Sequence, residues 1–244
     1  QAFPGVKLQE KLLLAREAAL QEMIRPHAST GLEIRVKVGI GRLHLEAVRA
    51  IRRSGHKLLI KGARGPAQDP RAIGPMDSRL IRLSPCPVMI LRERVRGPIL
   101  AAVALDTSHG NEGLGDDALI RLGHTFAAMN DLPLHVVHAW ELPDAKVLRA
   151  VSSVDDSEFL RGQIELAHTG LLEKIIARHP HIPLIPHLQE GWASHVVPKL
   201  IDELQVELLV IGAEGKEGSE CPTLGSILEV ILYQVGCSIL VVKP

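Results

Sequence analysis

Glycines at 212, 215, 218 and 225, with Lys216 among them and Ser226 at the end, are the residues whose types and spacing point most directly to chemistry. They follow the apolar run Leu208–Ile211 and precede a helical pattern carried by Ile227, Leu228, Val230, Ile231 and Leu232. Glycines let a loop take positive φ and let its amides approach a ligand with no Cβ in the way. The amides of such a loop, together with the unsatisfied N–H groups of a helix start, make an anion site. The pattern Gly212-x2-Gly215-x9-Gly225-Ser226 therefore reads as a phosphate cradle, with a βα turn that binds nothing as the alternative. Lys216 would neutralise phosphate charge, whereas Glu214, Glu217 and Glu220 in the same loop would repel it unless an Mg2+ ion bridges them.

Other constellations are weaker. The chain has no Ser-His-Asp order, no metal-ligating helix pattern and no Lys-Ser/Thr phosphate-loop motif, so no catalysis is expected. Twelve histidines raise the question of a metal, but no cysteine–histidine spacing matches a zinc site. His135 and His138, three apart on a strand, would point to opposite faces. Scattered surface histidines and no metal are expected. Three cysteines without a Cys-x-x-Cys suit a reducing compartment, and Cys86 and Cys237 would pack as small apolar groups. Lys+Arg and Asp+Glu both number 28, which gives no basic surplus for nucleic acid. No apolar run is long enough for a bilayer and nothing resembles a signal peptide, so a cytoplasmic protein with no membrane partner is expected.

The elements that must position the loop alternate strand and helix. Residues 7–24 read as an amphipathic helix covering a sheet, ended by Pro26, and Ile34, Val36 and Val38 alternate as a strand. A helix with Leu45, Val48 and Ile51 on its apolar face follows, then the strand Leu58–Ile60. Gly62-Ala63-Arg64-Gly65 repeats Gly212-Ala213-Glu214-Gly215 at a shift of 150, and 86–91 repeats 237–242 at 151. The chain holds one fold twice. In the first copy the glycine spacing is one residue shorter and Pro75 stands in place of Ser226; proline lacks both N–H and hydroxyl, so this copy is expected to have lost its anion site. The second copy runs through the strand Ile99–Leu105, the helix 118–129, the strand 134–139, the helix 159–177, the strand 184–188 and the helix 196–204. Alternation with buried apolar strands implies parallel sheets with helices on both faces.

The loop spacing, with Lys216 and Gly218 inside it and Cys237-x-Ile239-Leu240-Val241-Val242 closing the unit, resembles the ATP-binding signature of the universal stress protein family. The resemblance covers nearly the whole chain and is nearest to tandem, E-type members, where an internal repeat takes the place of a homodimer. It implies two doubly wound α/β domains, 1–96 and 97–244, each built on a five-stranded parallel sheet of order 3-2-1-4-5. Measured against the second copy, the first lacks its leading strand, helix and strand in this numbering. In a sheet of that order Asp106 and Gly212 end neighbouring strands, at the switch point where such folds bind ligands. The resemblance makes Asp106 the adenine-side carboxylate, with Thr107 and the Val137 backbone beside it, and puts phosphates on Gly212, Gly215, Lys216, Gly225 and Ser226. It implies a stress-response role with ATP or AMP as ligand, with or without Mg2+, exercised through signalling or protein partners. A pure interaction scaffold and a weak ATPase are the competing readings. The apolar last strands, Val88–Leu91 and Ile239–Val242, would be hazardous as open edges, so they are expected to pair antiparallel and make an internal pseudo-dimer, with a further homodimer open.

Overall fold

The computed structural model describes residues 4–63, 73–92, 96–105, 114–142, 154–213 and 226–243. Two compact units emerge, Gln1–Ala47 and Val48–Pro244.

In the first unit, helix α1 (Pro4–Ile24) gives way at Arg25–Thr30 to a 3-10 turn that carries Pro26 and closes on the left-handed Gly31. Two expectations fail here. Within this unit no described residue forms a strand for α1 to cover, and Leu8, Leu12 and Met23 are 61%, 57% and 70% exposed. Residues 34–38 form no strand: alternation by itself makes no backbone hydrogen bonds, and no strand among the described residues of this unit takes theirs up. Helix α2 (Leu43–Ser54) begins in this unit and ends in the next.

The second unit holds β1 (Leu59–Gly62), α3 (Pro75–Leu83), β2 (Val88–Leu91), β3 (Ile99–Ala102) and α4 (Leu114–Asn130). It continues through β4 (Leu134–Trp140), α5 (Val154–Ala177), β5 (Leu184–Glu190), α6 (Ala193–Leu204), β6 (Leu208–Gly212), α7 (Ser226–Gln234) and β7 (Ser238–Val242). One seven-stranded sheet runs β1-β2-β7-β6-β3-β4-β5. Its neighbours are parallel except β2 and β7, which pair antiparallel as their apolar edges required. Among the described residues the first copy supplies two of the seven strands, β1 and β2.

Period-two side chains divide the core. Val88, Ile90, Leu100, Val137, Leu209, Ile211, Ile239 and Val241 point to the side of Ile81, Val197, Leu200, Leu228 and Leu232 from α3, α6 and α7. Ile99, Ala101, Val136, Leu208, Val210, Leu240 and Val242 face Ile120 and Ala127 of α4 and Leu172 and Ile175 of α5. The central strands β6 and β7 are buried almost throughout, and the edge strand β5 is not. Cys86 and Cys237 are buried.

Candidate functional site

β3 and β6 lie side by side in parallel register, Ile99 with Leu208 through Ala102 with Ile211. Their carboxyl ends therefore open into one crevice, and the β6 end is Gly212. Gly212 does not take positive φ, contrary to expectation. Among the described residues a Cβ built on it would meet only Leu119 Cδ1, at an ordinary 4.0 Å. Neither backbone strain nor a crowding neighbour among those residues demands glycine there.

Val137 sits in β4 with its side chain in the core, and its carbonyl accepts the Val103 N–H at 3.0 Å. Ser226 is the first residue of α7. Its side chain, and Asp106, Thr107, Gly215, Lys216 and Gly225, lie outside the described residues.

The crevice contains a carboxylate that reading the sequence missed. Asp116, in the first turn of α4, accepts the N–H groups of Ala104 and Leu105 at 3.1 and 3.0 Å and so ties down the end of β3. Leu105 is held at φ 50. Burial pushes the Asp116 carboxyl above its ordinary range, against the lowering pull of the two backbone N–H groups and Arg178 and with the help of the Asp117 charge. Its neighbour Asp117 is clamped by His179 at 2.8 Å and Arg178 at 3.3 Å. The signal was present in Gly115-Asp116-Asp117, since acids favour a helix's first turn, but a helix start placed at 118 left both outside.

In the first copy the equivalent place is filled from within. Pro75 opens α3 without an N–H, and Asp77, 1% exposed in that helix's first turn, lies 2.5 Å from Lys61 Nζ on β1. The repeat shift makes Lys61 equivalent to Ile211 and Asp77 to Leu228, so a buried ion pair stands where the second copy has an apolar contact. A helix start that already carries a buried carboxylate is a poor receptor for a phosphate.

The histidines also depart from expectation. His135 and His138 do point to opposite faces of β4, but they are buried and paired, not scattered on the surface. His135 Nδ1 lies 2.7 Å from His187 Nε2 of β5, and His138 Nε2 lies 2.8 Å from His168 Nδ1 of α5. Ring centroids stand 5.0 and 4.9 Å apart, so in each pair the rings meet edge to edge, with the nitrogens aimed at one another and not converging on a shared ion. Among the described residues no group of three or more metal-ligating side chains assembles. No helix among them is long and apolar enough to cross a membrane.

A largely parallel α/β sheet with helices on both faces, and a glycine-ended strand beside the first strand of its half, defines the class: an open α/β protein with a crevice at the strand ends. The sequence profile described as the universal stress protein family matches residues 1–92 and 102–243. This chain belongs to that family. It is 25% identical over 246 residues to Universal stress protein E of Escherichia coli (strain K12), a match covering 97% of this chain and 77% of that protein. With Universal stress protein E of Photorhabdus laumondii it shares 24% over 250 residues, covering 98% and 78%. A crystal structure of a functionally unknown protein from Pseudomonas aeruginosa PAO1 has the same fold, with a TM-score of 0.78 at 22% identity over 100% of this chain and 89% of the other. A universal stress protein from Archaeoglobus fulgidus DSM 4304 superposes with a TM-score of 0.69 at 17% identity, covering 100% and 83%.

Proposed function

We propose that this universal stress protein binds one adenine nucleotide, ATP or AMP, in its second half and acts through a conformation or partner that the nucleotide controls. The observation that carries the reading is the adjacency of β3 and β6, whose carboxyl ends share a crevice, with Gly212 at the end of β6. The base would lie towards Asp106, Thr107 and the Val137 backbone. The phosphates would lie on Gly215, Gly225, Ser226 and Lys216, where loop amides and the start of α7 supply donors. Mg2+ would offset Glu214, Glu217 and Glu220. The first half takes no nucleotide in this reading, in keeping with Pro75 and the internal Lys61–Asp77 pair. The accompanying division is two domains, 1–96 and 97–244, of which the second has the 3-2-1-4-5 winding, in a cytoplasmic protein without a catalytic step of its own.

Titration calorimetry with ATP and Mg2+ tests this. One site per chain is expected, with its heat abolished by Gly225→Val while the circular dichroism stays unchanged. A stoichiometry near two, or heat indifferent to Gly225→Val, refutes the assignment. The scaffold reading draws on the exposed stripe Ile227, Val230 and Tyr233 along α7 and predicts no heat in either protein.

A further inference from the structure

The paired histidines have no part in the nucleotide reading. They lie where the fold is held least by apolar packing. β5 is an edge strand bonded only to β4, and its side chains are half-buried or exposed, while β6 and β7 are buried almost from end to end. α5, which packs on β4 and β5, leaves Phe159 and Leu166 exposed. Beside the seven-residue ladder of β4 with β5 and the buried Leu172 and Ile175 of α5, two polar pairs fasten this corner. His135 joins β4 to β5 on one face. On the other, His138 joins β4 to α5, and His168 stacks on Trp140 with ring centroids 5.8 Å apart.

The hydrogen-bond directions in the second pair follow from its surroundings. The Val103 carbonyl can only accept, so His138 Nδ1 carries the proton and donates across 3.2 Å. Nε2 of the neutral ring is then an acceptor, and His168 Nδ1–H donates to it. One added proton leaves a single N–H···N bond between the rings. A second puts an N–H at both ends of the 2.8 Å contact, so two imidazolium edges meet with no acceptor between them. The same count applies to His135 and His187.

We propose that the two histidine pairs form an acid-operated latch: neutral, they hold β5 and α5 on β4, and once protonated they release that outer corner while β3, β6 and β7 stay closed. Burial lowers the proton affinity of His135, His187 and His138, with His138 brought to about 4, so the latch stays shut at neutral pH and charges only in acid.

Among the described residues no carboxylate forms an ion pair with any of these four rings. On α4, Asp116 is taken by the Ala104 and Leu105 N–H groups and Asp117 by Arg178 and His179; Arg121 and His124 add no negative charge. On α5, Arg161 pairs with Glu190 of β5, and Glu165, Glu173 and Lys174 complete its charged groups near the corner. α6 carries His195, Lys199, Asp202 and Glu203, with Lys199 and Glu203 3.7 Å apart.

Hydrogen exchange of the full chain, followed by mass spectrometry at about pH 7 and about pH 4.5 and corrected for intrinsic rates, tests the latch without nucleotide. Peptides over 134–140, 161–172 and 184–190 should lose protection by roughly 50-fold or more and exchange well ahead of 208–212 and 238–242, which remain the most protected. Equal protection in all five segments at about pH 4.5, or no loss in any, overturns the proposal. His168→Gln and His187→Gln should each remove much of the acid response. Should either variant fail to fold, imidazole proton resonances of the unmodified chain decide: His135, His138 and His187 titrating below the ordinary imidazole value support the latch, and all three titrating at that value refute it.

Discussion

Met89 and Leu240 face each other across the antiparallel seam between β2 and β7, and they are equivalent positions in the two copies, 151 residues apart. Val88 with Val241 and Ile90 with Ile239 flank them, so the pairing maps onto itself when the copies are exchanged. The register thus centres a local twofold relation on one residue pair. Lys243, just beyond β7, fastens the same seam by donating to the carbonyls of Arg82 and Ser84 at 2.9 and 2.6 Å. Arg92 N–H bonds Ser238 Oγ at 3.1 Å.

A charge placed in this seam has nowhere to go. Val241 is 1% exposed and its partner Val88 is fully buried. Val241→Lys should cost about 4 kcal/mol or more and drive the chain into the insoluble fraction, as expected for an unpaired buried ion. Ile60→Lys, on the half-exposed edge strand β1, should stay within about 0.5 kcal/mol of the parent. Urea denaturation of the two variants compares them directly.

Global stability should fall on acidification, and the sign follows from His138. Its folded affinity for protons is depressed from 6.5 to about 4, so between those values the unfolded chain binds more protons than the folded one. The contribution is complete above about pH 6.5 and is lost towards pH 4, amounting to roughly 3 kcal/mol. Asp116, shifted upward by burial, acts in the opposite sense and regains stability in acid. Urea midpoints that hold constant from about pH 7 to about pH 4.5 would show that His138 is not desolvated as described.

Gly97 is required by close approach, not by φ. A Cβ there would stand 2.0 Å from the Gln205 carbonyl oxygen, in a crossing where the Glu207 N–H bonds the Pro98 carbonyl at 2.7 Å. Both neighbours are backbone and cannot rotate aside. Gly97→Ala should cost about 2–4 kcal/mol, read as a lowered urea midpoint with an unchanged slope, whereas Gly162→Ala, in open space on α5, should cost nothing.

The sequence made the second half legible because its strands are buried on both faces and leave continuous apolar runs, as in Leu208–Ile211 and Ile239–Val242. The repeat shift added the seam: two equivalent apolar strands could avoid exposure only by meeting. The alternating stretch 34–38 misled because period two reports a face, not a partner, and α1 misled because an amphipathic stripe does not name what covers it. The partners of Asp116 and of the histidines were out of reach for a different reason. Each joins residues on separate elements, His138 with His168 and Asp116 with Ala104, and only the fold brings them together. Of the loop itself, Gly212 is where its strand was expected to end, and Ser226 opens the helix as Pro75 does in the other copy.

That equivalence yields the last prediction. Lys61 and Asp77 form a nearly buried ion pair, and the second copy solves the same packing problem with Ile211 and Leu228. Removing one partner strands the other, so Lys61→Ile or Asp77→Leu should each cost about 3 kcal/mol. Replacing both removes two desolvation costs and restores apolar contact, so the double variant should match or exceed the parent, by up to about 2 kcal/mol. A double-mutant cycle in urea reads the coupling directly. Additive losses in the double variant would mean that the two side chains do not depend on each other, and that the first copy's helix start is held by something other than this pair.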